Sequence, residues 1–419
     1  MTLTSGPFLA LLSVVAAATM TAAIALWPRL ARRKATHAAA RTGLLIASQL
    51  TAIVAVLGGL NAYFSFIVSW SDLVGIHASA TSQARAAGAG GALAPIVVTH
   101  TQIPSGPAAQ KAPHATPTPG HQTTSAHQTP PGHRKAGAGN LAASAAASGE
   151  ILTVQIRGER TGIAVPRSYV YLPPQYFQRA YAHRLFPAVL VLTGYPSDPR
   201  SEITRLNLPG AAAAGIASGR LQPTIFVMMF SSVDMPRDTE CTDIPNGPQA
   251  ETFFAQDVPL AVEQSFRVAT GAGGWAVMGD STGGYCAVKL AMMHSDRFAA
   301  AVSLSGYYTA IQDFTTGSLY GGSASYRSEN DLFWRLGHHP FPPVSVLLTS
   351  SRVGEDDYQP TLRFLSMVRP PMHGYALVVP VGGHNFRTWK REIGQALDWL
   401  SQRLTLAGTP DPPASPHQH

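Results

Sequence analysis

Trp275–Leu290 reads WAVMGDSTGGYCAVKL, and this stretch decides the fold. Trp275–Met278 is a short apolar run of the kind that forms a buried strand. Gly279-Asp280-Ser281-Thr282-Gly283 follows as a G-x-S-x-G match, and Tyr285–Met293 continues with apolar residues at helical spacing. Strand, sharp turn and helix are the setting of a nucleophile elbow. The small residues have a mechanical reason: Gly279 and Gly283 let strand and helix approach, while Ser281 sits in strained backbone at the tip. With 38 glycines in the chain the pentapeptide alone recurs by chance, so its setting carries the reading.

Outward from the elbow, Glu150 to about Leu406 has the length of one α/β core. Ile151–Ile156 and Ser168–Leu172 alternate like antiparallel edge strands. Phe186–Leu192 and Thr224–Phe230 are near-continuous apolar runs, as in strands covered on both faces. Gln249–Phe266 reads as the helix entering the nucleophile strand. Strands at Ala300–Ser305, Val344–Thr349 and Tyr375–Pro380 then alternate with helices at Pro360–Val368 and Arg387–Leu404. The pattern predicts a doubly wound, mostly parallel sheet, the α/β-hydrolase arrangement.

A serine nucleophile needs a base, an acid to orient it, and donors for an oxyanion. His384 lies in Val381-Gly-Gly-His-Asn385, after a strand and before the last helix, at the sheet edge where ligands bind. It is the candidate base. The acid is expected after Val344–Thr349, where Glu355, Asp356 and Asp357 stand in a row; spacing does not choose among them. The oxyanion donors are expected to be the backbone N–H groups of Thr282, after the nucleophile, and Tyr195, with Gly194 the alternative, after the strand Phe186–Leu192. Cys241 and Cys286 are the only cysteines. The loop and helix that carry them make them a candidate disulfide.

Before this domain the composition changes twice. Phe8–Trp27 and Thr42–Trp70 are uncharged apolar runs, each long enough to span a bilayer, the second closing on Tyr63, Phe64, Phe66 and Trp70. Arg29, Arg32, Arg33, Lys34 and Arg41 lie between or beside them, and the positive-inside rule puts that loop in the cytoplasm. The expected organisation is a membrane anchor (1–76), a disordered linker (77–149) with a coil reach of roughly 45–50 Å, the esterase domain (150–406), and a disordered tail (407–419). The linker is rich in Ala, Gly and Pro, and His100, His114, His121, His127 and His133 are spaced too irregularly for a metal tract. The catalytic domain is thereby expected outside the cytoplasm. The net charge of +7 comes largely from the short basic loop, so no nucleic-acid surface is implied.

The domain also resembles the esterase D-like α/β-hydrolases, and within them the mycobacterial mycolyltransferases of the antigen 85 type. The resemblance rests on Arg167–Pro174 (RSYVYLPP), Leu190–Tyr195 (LVLTGY), Glu251–Pro259 (ETFFAQDVP), Ser303-Leu304-Ser305 and His384-Asn-Phe386-Arg-Thr-Trp389. It implies Ser281 as nucleophile and His384 as base. The transferase acid is a glutamate at this point of the chain, which implies Glu355, and the two oxyanion N–H groups map onto Tyr195 and Thr282. The elbow departs from the transferases in carrying Asp280 where they have an apolar residue, and Tyr307–Leu336 matches only around Asn330–Leu336. The resemblance implies an ester or acyl-lipid substrate, a sugar or water as acyl acceptor, and no metal or organic cofactor. A serine peptidase on the same scaffold and a catalytically silent binding module are the competing readings.

Overall fold

The computed structural model describes residues 6–31, 35–64, 85–86, 95–102 and 145–405. Among the described residues ten strands form one sheet: β1 (Arg85–Ala86), β2 (Ile96–Gln102), β3 (Glu150–Arg157), β4 (Ala164–Leu172), β5 (Ala188–Leu192), β6 (Ile225–Met229), β7 (Trp275–Asp280), β8 (Ala300–Leu304), β9 (Ser345–Val353) and β10 (His373–Val381). Their order is β1-β2-β3-β4-β6-β5-β7-β8-β9-β10. Pairs from β6 through β10 are parallel, and those from β1 to β4, with β4 on β6, are antiparallel. This is the α/β-hydrolase fold.

Strands β5, β6, β7 and β8 are buried at every residue. Their apolar runs therefore have no alternation, because helices cover both faces. Each fully buried Val, Leu or Met there contributes about 1.5–3 kcal/mol, opposed by chain entropy. One face packs on helices Leu208–Ala217 and Phe386–Ser401 through Leu208, Ala212, Ile393, Leu397 and Leu400. The other packs on Val258–Ser265, on the elbow helix Thr282–Met293 and on Tyr358–Met367. The chain leaves β5 for β6 on one side and returns to β7 on the other. That reversal opens a crevice at the carboxyl ends of β5 and β7, where open α/β sheets bind ligands.

Four expectations change. Residues 96–102 fall inside the stretch expected to be a disordered linker, yet they form β2, paired antiparallel with β3 from Ile96↔Ile156 to Gln102↔Ile151. The reason is local: Ile96-Val-Val-Thr-His-Thr101 is β-branched within an Ala/Gly/Pro context, and Ile96 is fully buried. Consequently β3 and β4 are interior strands and not edges. The helix expected over Gln249–Phe266 is interrupted by a π-helical turn, Phe253–Asp257, which aims Asp257 at the β3–β4 turn. Asp257 accepts there from the N–H groups of Arg160 and Thr161 at 2.8 and 3.0 Å. The first two helices run over Gly6–Leu30 and Ala35–Phe64, the second starting before the expected Thr42. Both are long and apolar enough to cross a membrane by length and composition, and Thr19 Oγ1 meets Thr51 Oγ1 between them at 2.7 Å. Phe66, Trp70, the tail and His114, His121, His127 and His133 lie outside the described residues.

Candidate active site

Strand β7 delivers Ser281 into the crevice, and the elbow forms because glycine stands on either side of it. Ser281 takes φ 53° and ψ −120°, a conformation an L-residue adopts only where its surroundings enforce it. A Cβ on Gly283 would lie 1.8 Å from Leu192 O, and one on Gly279 2.4 Å from the same oxygen. No residue but glycine fits these positions. Ser281 N–H donates to Leu304 O at 3.0 Å, which fixes the turn against β8.

The loops after β9 and β10 bring the other two groups together. Gly354 (φ 100°) turns the chain toward Gly382, whose N–H donates to Val353 O at 3.1 Å; a Cβ on Gly354 would sit 2.0 Å from Gly382 O. This contact sets His384 beside Glu355. His384 Nε2 lies 2.8 Å from Ser281 Oγ, and Nδ1 lies 3.9 Å from Glu355 Oε1. The Glu355 side chain is 1% exposed; Oε2 accepts from Ser351 N–H at 2.7 Å, and Oε1 has no hydrogen-bond partner among the described residues. Partial desolvation holds the His384 imidazole below its usual pKa, with the Glu355 carboxylate opposing. Trp389 packs edge-on to the ring, 5.3 Å between centroids, and its Nε1–H is held by Ser305 Oγ.

The three acids that spacing left equal are now distinct. Glu355 faces His384. Asp356 is exposed. Asp357 accepts from Ser350 Oγ at 2.9 Å, and burial followed by repulsion from Glu355 pushes its carboxyl up to about 7. Glu392 accepts from Thr349 Oγ1 at 2.7 Å and is likewise pushed up to about 7, chiefly by burial.

Thr282 is the first residue of the elbow helix, so its N–H has no intrahelical acceptor. The loop carrying Tyr195 packs directly on the elbow, since a Cβ on Gly194 would lie 2.9 Å from Ser281 Cβ. Neither the Thr282 nor the Tyr195 N–H donates to a protein acceptor among the described residues. Two unpaired donors beside a serine hydroxyl that is bonded to an imidazole can stabilise a developing oxyanion while the imidazole takes a proton.

Some neighbours were not foreseen. Tyr307 O–H reaches Thr282 Oγ1 at 3.0 Å and the Glu240 oxygens at 2.7 and 2.8 Å. Burial, then repulsion from Asp238, pushes the Glu240 carboxyl up to about 8. The one sequence signal was the acid-rich run Asp238-Thr-Glu-Cys-Thr-Asp243, which a solvated loop explains equally well. A disulfide joins Cys241 to Cys286. Within the E-T-F-F motif, Glu251 accepts from His294 Nε2 at 3.0 Å and pairs with buried Lys289 at 3.5 Å, so its role is structural.

A family model described as putative esterase matches residues 165–400. An uncharacterized protein of Corynebacterium glutamicum is 21% identical over 252 residues, 58% of this chain and 58% of its own length. The chain thus spans little more than half of that curated relative. Among solved structures, a ferulic acid esterase is similar with a TM-score of 0.51 and 19% identity, over 61% of this chain and 98% of its own. An S-formylglutathione hydrolase from Agrobacterium tumefaciens has a TM-score of 0.51 and 14% identity, over 61% and 96%. At these identities the likeness speaks to the fold.

Proposed function

The chain belongs to the putative esterase family, and from that premise we propose that it is a serine esterase or acyltransferase working through an acyl-enzyme on Ser281. The observation that carries the reading is the 2.8 Å contact between His384 Nε2 and Ser281 Oγ. His384 takes the Ser281 proton as Oγ attacks the ester carbonyl. The N–H groups of Thr282 and Tyr195 hold the oxyanion, and Glu355 orients the imidazole and balances its charge. Collapse of the tetrahedral intermediate expels the alcohol, which takes the proton from His384. Water or a sugar hydroxyl then attacks the acyl-enzyme by the same steps in reverse.

In this reading Gly6–Leu30 and Ala35–Phe64 anchor the chain in the cell membrane, with the catalytic domain on the extracytoplasmic side. The basic loop between the helices, cytoplasmic by the positive-inside rule, supports that orientation. The esterase domain runs over 150–406 with β2 added to its edge. The resemblance to mycolyltransferases supports an acyl-lipid donor and a sugar acceptor.

The test is nitrophenyl ester turnover by the full-length chain in detergent, wild type beside Ser281→Ala, with fluorophosphonate labelling in parallel. Wild type is expected to turn over and label, and the variant to do neither. Added trehalose or glycerol is expected to divert the acyl group from water if the enzyme is a transferase. Absence of label from a folded wild-type chain would overturn the serine mechanism and favour a silent hydrolase-fold binding module.

A further inference from the structure

Asp280 stands immediately before Ser281, and the acyl-transfer steps above make no use of it. The residue is 1% exposed. Its Oδ2 accepts from Gly194 N–H at 3.1 Å. A Cβ on Gly194 would lie 2.8 Å from that oxygen, so the loop rests on the elbow with no side chain between them. Glu202, also 1% exposed and carried by the short helix Arg200–Thr204, is in hydrogen-bonding contact with Asp280. Glu202 Oε1 and Asp280 Oδ1 find no other partner among the described residues. Burial and the neighbouring Asp280 carboxylate push the Glu202 carboxyl well above its usual pKa, which favours a protonated Glu202 beside Asp280. Asp280 Oδ2 faces the loop as an acceptor.

The loop is also held elsewhere: Thr193 N–H donates to Met229 O at 3.0 Å, and the Tyr195 O–H donates to Pro236 O. Ser197 N–H donates to Gly194 O at 2.8 Å, and Thr193 Oγ1 donates to Ser197 O at 2.9 Å. Asp198 is ion-paired with Arg167. The contact from Gly194 to Asp280 therefore ties this turn to the nucleophile's own backbone neighbour, one residue from the Tyr195 N–H. We propose that Asp280 is a positioning residue for the oxyanion hole, its carboxyl, backed by Glu202, holding Gly194 so that the Tyr195 N–H faces the carbonyl oxygen of an ester bound at Ser281. The inference rests on the esterase reading of the site.

The test uses the full-length chain in detergent with nitrophenyl acetate as substrate. Asp280→Leu keeps the branched outline, with two methyl groups in place of the two oxygens, and removes the acceptor. Its kcat is expected to fall about 10²–10³-fold, the usual cost of losing one oxyanion donor, with KM within about threefold. Asp280→Asn keeps an acceptor oxygen for Gly194 and is expected to restore kcat to within about fivefold of wild type. Unchanged turnover in the Leu variant, equal losses in both variants, or a loss carried by KM alone would overturn the proposal. If the Leu variant does not melt cooperatively, the Asn variant decides: retention within that limit supports the proposal and a greater loss overturns it. A wild-type chain that neither turns over the ester nor takes the fluorophosphonate label overturns the esterase reading instead, before any variant is compared.

Discussion

At the residue scale, Ser281 and His384 each carry a local signature, a glycine-flanked turn after an apolar strand and a glycine-rich loop before the last helix, and the fold sets them 2.8 Å apart. The candidate acid carries none. Glu355, Asp356 and Asp357 are adjacent and chemically alike, and what separates them is the direction the backbone takes at Gly354. Only the fold contains that information. The distinction makes a prediction. Glu355→Gln is expected to lower kcat for nitrophenyl acetate by about 10²–10⁴-fold, as loss of the orienting carboxylate does in a serine triad. Asp356→Asn, altering an exposed side chain, is expected to stay within about twofold. Comparable losses in the two variants would remove Glu355 from the role. Tyr307 and Glu240 escaped notice for a related reason, since a tyrosine and a glutamate 67 positions apart leave no trace in local pattern.

At the element scale, β5, β6, β7 and β8 were legible because full burial on two faces writes a continuous apolar run. Strand β2 was not, because a short β-branched stretch in a Pro/Gly/Ala context has the composition of a linker. Its pairing with β3 supplies what composition could not. The elbow helix shows how elements are held in place here. Beyond its packing on β7 and β8, it is tied by Cys286 to Cys241 in the loop after β6, closing a separation of 45 residues. A Cys241→Ala/Cys286→Ala chain should lose about 2–4 kcal/mol, because the cross-link restricts the unfolded ensemble. In a domain of this size the melting temperature should then drop by roughly 5–15 °C. An unchanged melting curve for the double variant would count against a stabilising bridge.

For the whole molecule, the notable feature is the number of acids kept from water. Burial pushes Glu240 up to about 8, Asp357 and Glu392 to about 7, and Asp238 and Asp280 to about 6, with Glu202 also raised. The unfolded chain releases these protons near pH 4–4.5, while the folded chain keeps them to higher pH. Between those limits the folded state binds more protons, so stability falls as pH rises from about 4.5 to 8. His384 acts in the opposite sense below about 6.5, since the unfolded histidine takes its proton first. One group does not offset six. The unfolding free energy from urea titration is expected to be higher at pH 5.5 than at pH 8, by an amount on the order of several kcal/mol, with the midpoint shifted the same way. A midpoint that rose with pH would show that these carboxyls ionise freely in the fold. With His384 as the proposed base, turnover should decline on the acid side, so the pH of best stability and the pH of best activity are pulled apart. No compositional count could have revealed this, because 23 acidic residues in 419 is unremarkable until their burial is known.

The edge pairing of β2 changes the mechanics of attachment. Had the domain begun at Glu150, 86 residues would separate it from Phe64, a leash of at most about 300 Å when fully drawn out. With β1 paired to β2, the sheet begins at Arg85, 21 positions after Phe64, a span of at most about 75 Å. Residues 103–144 do not enter that span, because the described residues on both sides of them belong to the same domain. The chain coming from the helices first meets the sheet at the pairing of β1 with β2, so the outermost strand, β1, is the point of attachment.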